Sequence, residues 1–150
     1  MKIRVGFVSN SSSSSYILGV KKEMGSECPC CHRKGIDIID LIDRYTSDTT
    51  GITCIGKESV TRYYTRKLEE TEDRVRMLEN QYDAASMQWR YDELERIRNT
   101  LKSIMDISDE YEVVMLDISY HDIGIQNILQ NEYKTGNIII IYDYEERMFS

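Results

Sequence analysis

The feature that most constrains this chain is its central stretch, residues 59–106, which contains neither glycine nor proline. Charged residues that favour helices dominate it. Apolar side chains recur there at alternating steps of four and three, which keeps them on one helical face. They are Tyr64, Leu68, Thr71, Val75, Leu78, Tyr82, Ala85 and Trp89. A second set follows in a shifted register, five residues after Trp89: Leu94, Ile97, Leu101 and Ile104.

Two arrangements of this helical segment fit the pattern. A single helix of about 70 Å, at about 1.5 Å per residue, would need a second chain along its apolar seam, which would make the protein an oligomer. An antiparallel hairpin would turn near residues 80–83, with Asp83 as the N-cap of the second helix. The register shift and the matching arms favour the hairpin, whereas the continuity of the seam through Tyr82 favours the single helix.

The flanking regions contain five predicted strands. Clusters of β-branched and aromatic residues predict them in 3–8, 16–20, 51–56, 111–118 and 137–142. The last two are almost continuously apolar, which is typical of strands covered on both faces. The serine run in residues 9–15 cannot bury itself and predicts an exposed loop that joins the first two strands.

Two short helices are predicted beside these strands. One follows Gly35, with Ile38, Leu41, Ile42 and Tyr45 on its apolar face. The other lies between the last two strands, before a turn at 134–136, and a strand–helix–strand unit favours adjacent parallel strands. We therefore expect one α+β domain over residues 1–150, with a small mixed sheet from 1–58 and 107–150 and a long antiparallel helical hairpin over 59–106.

The charge of the chain is distributed unevenly. The net charge is −7, and residues 107–150 contain nine acidic and two basic side chains. An acidic surface repels phosphate backbones, which disfavours nucleic acid as a partner and suits a basic protein. No stretch approaches the roughly 18 apolar residues that cross a bilayer, and the first residues are too briefly apolar for a secretory signal. We therefore expect a cytoplasmic protein.

Cysteines cluster in the segment Cys28-Pro29-Cys30-Cys31-His32. Cys28 and Cys31 have the C-x-x-C spacing with which two thiolates hold one metal ion, and in a reducing compartment clustered cysteines are more often ligands than disulfides. Cys54 could supply a third thiolate, and His32, His121 or Cys30 the fourth ligand. We therefore predict one structural zinc ion, bound by Cys28, Cys31, Cys54 and one of these, with His32 the first choice.

Two families share this cysteine pattern. The cluster resembles the zinc knuckle of ribbon-type domains, although this chain lacks their second C-x-x-C pair. It also resembles the Cys-Pro-x-Cys active site of glutaredoxins, which implies thiol redox chemistry at Cys28 and Cys31. The glutaredoxin fold has a cis-proline facing its active site, whereas the one proline here, Pro29, already lies inside the motif. Gly35 also interrupts the helix that should begin at the second cysteine.

The opening of the chain resembles another group. Gly6-Phe7-Val8-Ser9-Asn10, followed by five serines and Tyr16, is similar to the N-termini of many small, uncharacterised phage and bacterial proteins. The resemblance covers roughly the first 20 residues. It implies a phage or mobile-element origin and no particular activity.

Three classes of function follow from these patterns. The first is a non-enzymatic, zinc-stabilised protein that binds a host or phage protein through the helical segment or the acidic residues of 107–150. The second is an enzyme, either a thiol-redox protein or a metal-dependent hydrolase or nuclease using Asp117, Glu132 and Lys134. In such nucleases the Glu and Lys lie on a strand, whereas here they precede Thr135-Gly136 and are predicted to sit in a turn. The third is a nucleic-acid-binding zinc knuckle that uses Arg33 and Lys34. The first class is the leading interpretation.

Overall fold

An antiparallel sheet organises the protein. The computed structural model describes residues 13–22, 30, 37–44 and 50–143. Its elements are β1 (Ser13–Lys21), α1 (Ile38–Arg44), β2 (Gly51–Ile55), α2 (Lys57–Leu78), α3 (Ala84–Asp106), β3 (Tyr111–Ser119), α4 (Ile123–Lys134) and β4 (Ile138–Asp143). Within the described part, the strand order is β2-β3-β1-β4 and each neighbouring pair is antiparallel. The predicted α+β class is confirmed.

All the described strands pair antiparallel, because β1 lies between β3 and β4. The strand–helix–strand unit predicted adjacent parallel strands, and that prediction was wrong. β3 and β4 do run in the same direction, but each pairs with β1 instead of with the other. Residues 15–20 of β1 are all buried, as expected for a strand in the interior of the sheet. The predicted strand–helix–strand unit would place β4 in this position, beside β3. β4 is an edge strand in the described sheet, and its residues 139–142 are only partly buried.

Strand β1 begins inside the serine run. Ser15 is 1% exposed, and its hydroxyl donates a hydrogen bond of 2.6 Å to Oδ1 of Asp117, the residue directly opposite on β3. A hydroxyl can be buried when it has such a partner. The loop prediction was therefore wrong for residues 13–15. The remaining residues of that loop, 9–12, and the predicted strand 3–8 lie outside the described residues.

The two faces of the sheet bury separate apolar clusters, because successive side chains of a strand point to opposite faces. The first cluster lies beneath α1 and α4 and includes Leu18, Ile42, Leu116 and Leu129. The second lies beneath α2 and α3 and includes Ile17, Val60, Ile104 and Met115. Gly19 allows the second face to close tightly, since a Cβ there would lie 2.6 Å from Ile107 Cδ1 and 2.7 Å from Ile139 Cγ1.

Residues 57–106 form two helices that pack against each other. They are separated by residues 79–83, and the Asp83 side chain accepts a hydrogen bond of 2.8 Å from the Ser86 amide, which caps α3. The Tyr91 hydroxyl contacts Glu79 at 3.2 Å, and Arg98 contacts Glu72 at 3.2 Å. Residue numbers rise along α3 as they fall along α2, so the two helices are antiparallel.

Burial in the two helices differs from the predicted seam around the turn. Tyr64, Val75, Leu94 and Ile97 are buried as the pattern predicts. The seam does not continue through the turn, where Tyr82, Ala85 and Trp89 are all exposed and the buried residue is Met87. The base of the pair is fixed to the sheet by Gly56, whose φ of 105° suits glycine and whose N–H donates to Val113 at 2.8 Å. None of the described helices has the length and apolar character needed to cross a membrane.

Candidate docking site on the α2–α3 helix pair

A groove follows the line where α2, α3 and β4 meet. It has a volume of about 260 Å³ and combines aromatic rings and charged groups above two buried residues, Ile97 and Thr100. On α3 its residues are separated by steps of four, three, one and three, from Trp89 to Thr100, which places them on one side of the helix. It is lined by Tyr64, Lys67, Trp89, Glu93, Arg96, Ile97, Thr100 and Tyr142. We call it the α2–α3 groove.

Lys67 is the most constrained cation of the groove. Its Nζ lies 5.5 Å from the centroid of the Tyr64 ring, a cation–π distance. Burial lowers the pKa of the Lys67 ammonium; the Glu93 carboxylate opposes this shift and Arg96 adds to it. Burial also raises the pKa of Tyr64, and the nearby Tyr142 and Tyr63 raise it further. This part of the groove therefore contains a partly buried cation packed against a ring, with the Glu93 carboxylate as a favourable charge.

Trp89 forms the exposed wall of the groove. It is the one tryptophan of the chain and is 56% exposed. The guanidinium carbon of Arg90 lies 4.2 Å from its ring centroid. A large aromatic side chain that remains this exposed is typical of a contact surface, because burying it on a partner releases a large apolar area.

A second depression, which we call the outer cleft, adjoins the groove and shares Lys67 and Glu93 with it. Its volume is about 360 Å³, and it is lined by Tyr63, Arg66, Lys67, Glu70, Thr71, Arg74 and Glu93. Together the groove and the cleft contain four cationic side chains and two carboxylates. Among the described residues, none of the four cations takes part in an ion pair. This surface is locally positive on a chain with a net charge of −7.

Further apolar side chains are exposed near the turn of the helix pair. Met77, which is 73% exposed, lies near the end of α2, and Tyr82, which is 56% exposed, lies in the turn itself. With Trp89 they place three large apolar side chains in water on one structural element. Exposed apolar side chains on one element can contribute to an interaction site when a partner covers them together.

A cluster of polar residues lies where β3 ends and β2 begins. Its hydrogen bonds join elements of the fold. The Thr50 hydroxyl donates to Oδ2 of Asp122 and accepts from the Ser119 amide at 2.8 Å. The Gln126 side chain donates to the Ser119 carbonyl at 2.9 Å. These bonds connect the end of β3 to α4 and to the start of β2, which gives the cluster a structural role.

The residues of the hydrolase alternative are not brought together. Asp117 lies on the face of β3 that carries Met115 and is covered by α2 and α3, whereas Glu132 and Lys134 lie on α4, which covers the other face. Glu132 and Lys134 belong to a helix, so their prediction in a turn was wrong. Oε2 of Glu132 accepts a hydrogen bond of 2.7 Å from Asn137, which closes the chain after α4.

The predicted zinc ligands fall largely outside the described residues, since Cys28, Cys31 and His32 lie there, as do Arg33 and Lys34. Cys30 is exposed, and Cys54 on β2 packs against the second apolar cluster. Burial raises the pKa of the Cys54 thiol, while Ser59 and Arg62 lower it. His121 is exposed just before α4. Within the described ranges, no three side chains of the His, Cys, Asp or Glu type are grouped to hold a metal ion.

The acidic side chains of residues 107–150 do not share one face in the described part. Asp117 is buried, Asp109 and Glu110 precede β3, and Asp122 follows it. A strand of this length separates its two ends by about 25–30 Å. The described carboxylates therefore give no single acidic surface for a basic partner.

Sequence reasoning missed the α2–α3 groove. The cations of the groove and of the outer cleft look like the ordinary charged surface of a helix. In the outer cleft, however, Arg66, Glu70 and Arg74 recur at steps of four beside the neighbouring Tyr63. That combination of rings and cations on one stripe is the signal that could have indicated it. The contribution of Tyr142 depends on where β4 lies in the sheet, which no local pattern indicates.

Comparison of the chain with models of known protein families, with curated proteins and with solved structures finds no match. The interpretation of the site therefore rests on the geometry of this chain.

Proposed function

We propose that this protein is a non-enzymatic binding protein that docks a protein partner on the α2–α3 helix pair. The exposure of Trp89, Tyr82 and Met77 on this one element is the observation that supports the proposal most. Both helices have already buried Val75, Met87 and Leu94 between or beneath them. Among the described residues, packing within the chain leaves more than half of each of these three side chains exposed, and a partner can bury them.

The position of the helix pair also suits docking. At its base, Lys57 Nζ of α2 donates to the Ile107 carbonyl at the end of α3 at 3.2 Å, and the Gly56 N–H donates to the Val113 carbonyl of β3 at 2.8 Å. Helices supported in this way present their side chains with little conformational freedom, which reduces the entropy lost on binding. The hydrolase alternative lacks comparable support, since Asp117 and α4 lie on different faces of the sheet.

Three further parts of the proposal come from the sequence. The spacing of Cys28 and Cys31 supports a structural zinc ion, with Cys54 and His32 as the remaining ligands. The opening sequence supports a phage or mobile-element origin, and therefore a host or phage protein as the partner. Clustered cysteines suit a reducing compartment, which supports the host cytoplasm as the place of binding.

Affinity capture with matched variants tests the docking surface. The full chain is immobilised and incubated with an extract of the cells in which it is produced, and bound proteins are quantified by mass spectrometry. In the test variant, Trp89→Ala with Tyr82→Ala removes two exposed rings from the helix pair. In the control, Ile123→Ala with Tyr133→Ala removes two exposed side chains of α4, on the opposite face of the sheet.

We expect one protein to be enriched equally by the unchanged chain and by the α4 control. Its recovery on the Trp89/Tyr82 variant should fall at least about tenfold, because loss of an aromatic anchor commonly costs about 2 kcal/mol or more. All four side chains are exposed, so both variants should keep the melting temperature of the unchanged chain. Loss of the partner on the α4 control alone would show that the helix pair is not the docking surface.

A further inference from the structure

We infer that the α2–α3 groove recognises an acidic segment of the partner that carries one large apolar side chain among its carboxylates. This inference rests on the proposed function and specifies its ligand. The groove and the outer cleft offer two kinds of contact side by side: four cations that form no ion pair with the described residues, and a ring-lined depression.

The cations supply the first contact. Lys67 and Arg96 line the groove, and Arg66 and Arg74 extend the positive surface into the outer cleft. Carboxylates of a bound segment can accept hydrogen bonds from these groups, and guanidinium–carboxylate pairs are frequently bidentate. Lys67 is a partly buried cation against the Tyr64 ring, and an incoming carboxylate would favour its protonated form.

The rings supply the second contact. Tyr64, Trp89 and Tyr142 surround the buried Ile97, so an apolar side chain that enters the groove meets rings and an aliphatic surface. A volume of about 260 Å³ lies below the range of pockets that enclose drug-sized ligands, and it suits a single large side chain. The ligand is therefore a short peptide segment with one apolar anchor.

The carboxylates of the site favour a peptide over a nucleic acid. Glu93 lies within the groove and Glu70 within the outer cleft. A nucleic acid carries a continuous row of phosphates, and it could not avoid these two groups along the cleft. A peptide can place amides or a basic residue opposite them, so the same pair of carboxylates selects between the two classes of ligand.

Titration of the full chain with defined peptides tests the inference, because Trp89 is the one tryptophan and lies in the groove. The probe is the acetylated, amidated peptide Asp-Glu-Leu-Glu-Phe-Asp-Glu, and its basic counterpart is Lys-Lys-Leu-Lys-Phe-Lys-Lys. We expect the acidic peptide to change Trp89 emission saturably and the basic one to leave it unchanged. Affinity should fall as salt rises, since screening acts over about 8–10 Å at physiological ionic strength.

Charge reversal then assigns the effect to the groove. Lys67→Glu with Arg96→Glu should weaken binding of the acidic peptide at least about tenfold, and Arg66→Glu with Arg74→Glu should weaken it in the same direction. The control is Lys102→Glu with Lys134→Glu, which changes the net charge equally at exposed positions outside both depressions. It should bind as the unchanged chain does.

Several results would overturn the inference. Equal weakening by the control would mean that net charge alone attracts the peptide. Stronger binding of a single-stranded oligothymidylate than of the acidic peptide would make nucleic acid the ligand. If the acidic peptide fails to bind while capture of a partner still depends on Trp89 and Tyr82, the ligand assignment is wrong and the proposed function stands.

Discussion

Replacing Ile104 by alanine is expected to lower the free energy of unfolding by about 2–5 kcal/mol. Ile104 is fully buried in the cluster that joins α2 and α3 to the sheet. Its truncation removes apolar contacts and leaves a cavity that the neighbouring side chains fill only in part. Because whole domains are stable by only about 5–15 kcal/mol, a loss of this size would be a large part of the total.

The neighbouring residue provides a matched control. Met105 is also apolar and helical but is 57% exposed, so Met105→Ala should change the free energy of unfolding by no more than about 0.5 kcal/mol. Urea unfolding followed by circular dichroism, with linear extrapolation to water, measures both. Equal effects of the two substitutions would contradict the docking of α3 on the sheet through Ile104.

Removal of the proposed zinc ion is expected to destabilise the chain strongly. Binding of zinc to small structural sites has an apparent free energy of about 10–16 kcal/mol at neutral pH, and part of it stabilises the folded state. We expect about one zinc ion per purified chain, and a chelator should lower the melting temperature. Cys28→Ser and Cys31→Ser should each abolish zinc binding, because their thiolates form the C-x-x-C pair.

Elemental analysis and thermal melting with and without chelator measure these effects. Cys54→Ser separates the role of the third thiolate, because it should release zinc only if Cys54 is a ligand. Cys54 packs against the second apolar cluster, and burial raises the pKa of its thiol. Both observations also suit a thiol that packs in the core and binds no metal. Less than about 0.2 zinc ions per chain, with melting unchanged by the chelator, would contradict the metal site altogether.

Local chemistry made several elements of this fold predictable. Asp83 is an N-cap by residue type, and its side chain does accept a hydrogen bond from Ser86. The near-continuous apolar run of β3 indicated burial on both faces, and residues 113–119 are all buried. In α1, the alternation of Ile38 and Ile42 with aspartates indicated the buried side, and both isoleucines are buried. These features depend on residues close together in the sequence.

The errors concern long-range pairing. Nothing near Ser15 in the sequence indicates that Asp117, about a hundred residues away, lies opposite and accepts its hydrogen bond. The position of β1 between β3 and β4 likewise depends on which strands pair with each other. The α2–α3 groove was missed for the same reason, because Tyr142 reaches the helices only through the placement of β4. Periodicity identifies faces, but it does not identify which faces meet.

The most direct test of the central claim is amide hydrogen exchange of the full chain with and without the captured partner. Docking on the helix pair predicts slower exchange in residues 63–77 of α2 and 85–100 of α3 when the partner is bound, because contact suppresses local opening of those helices. Exchange in α4, residues 123–134, should not change. Slower exchange confined to α4 or to β4, with α2 and α3 unaffected, would contradict the account.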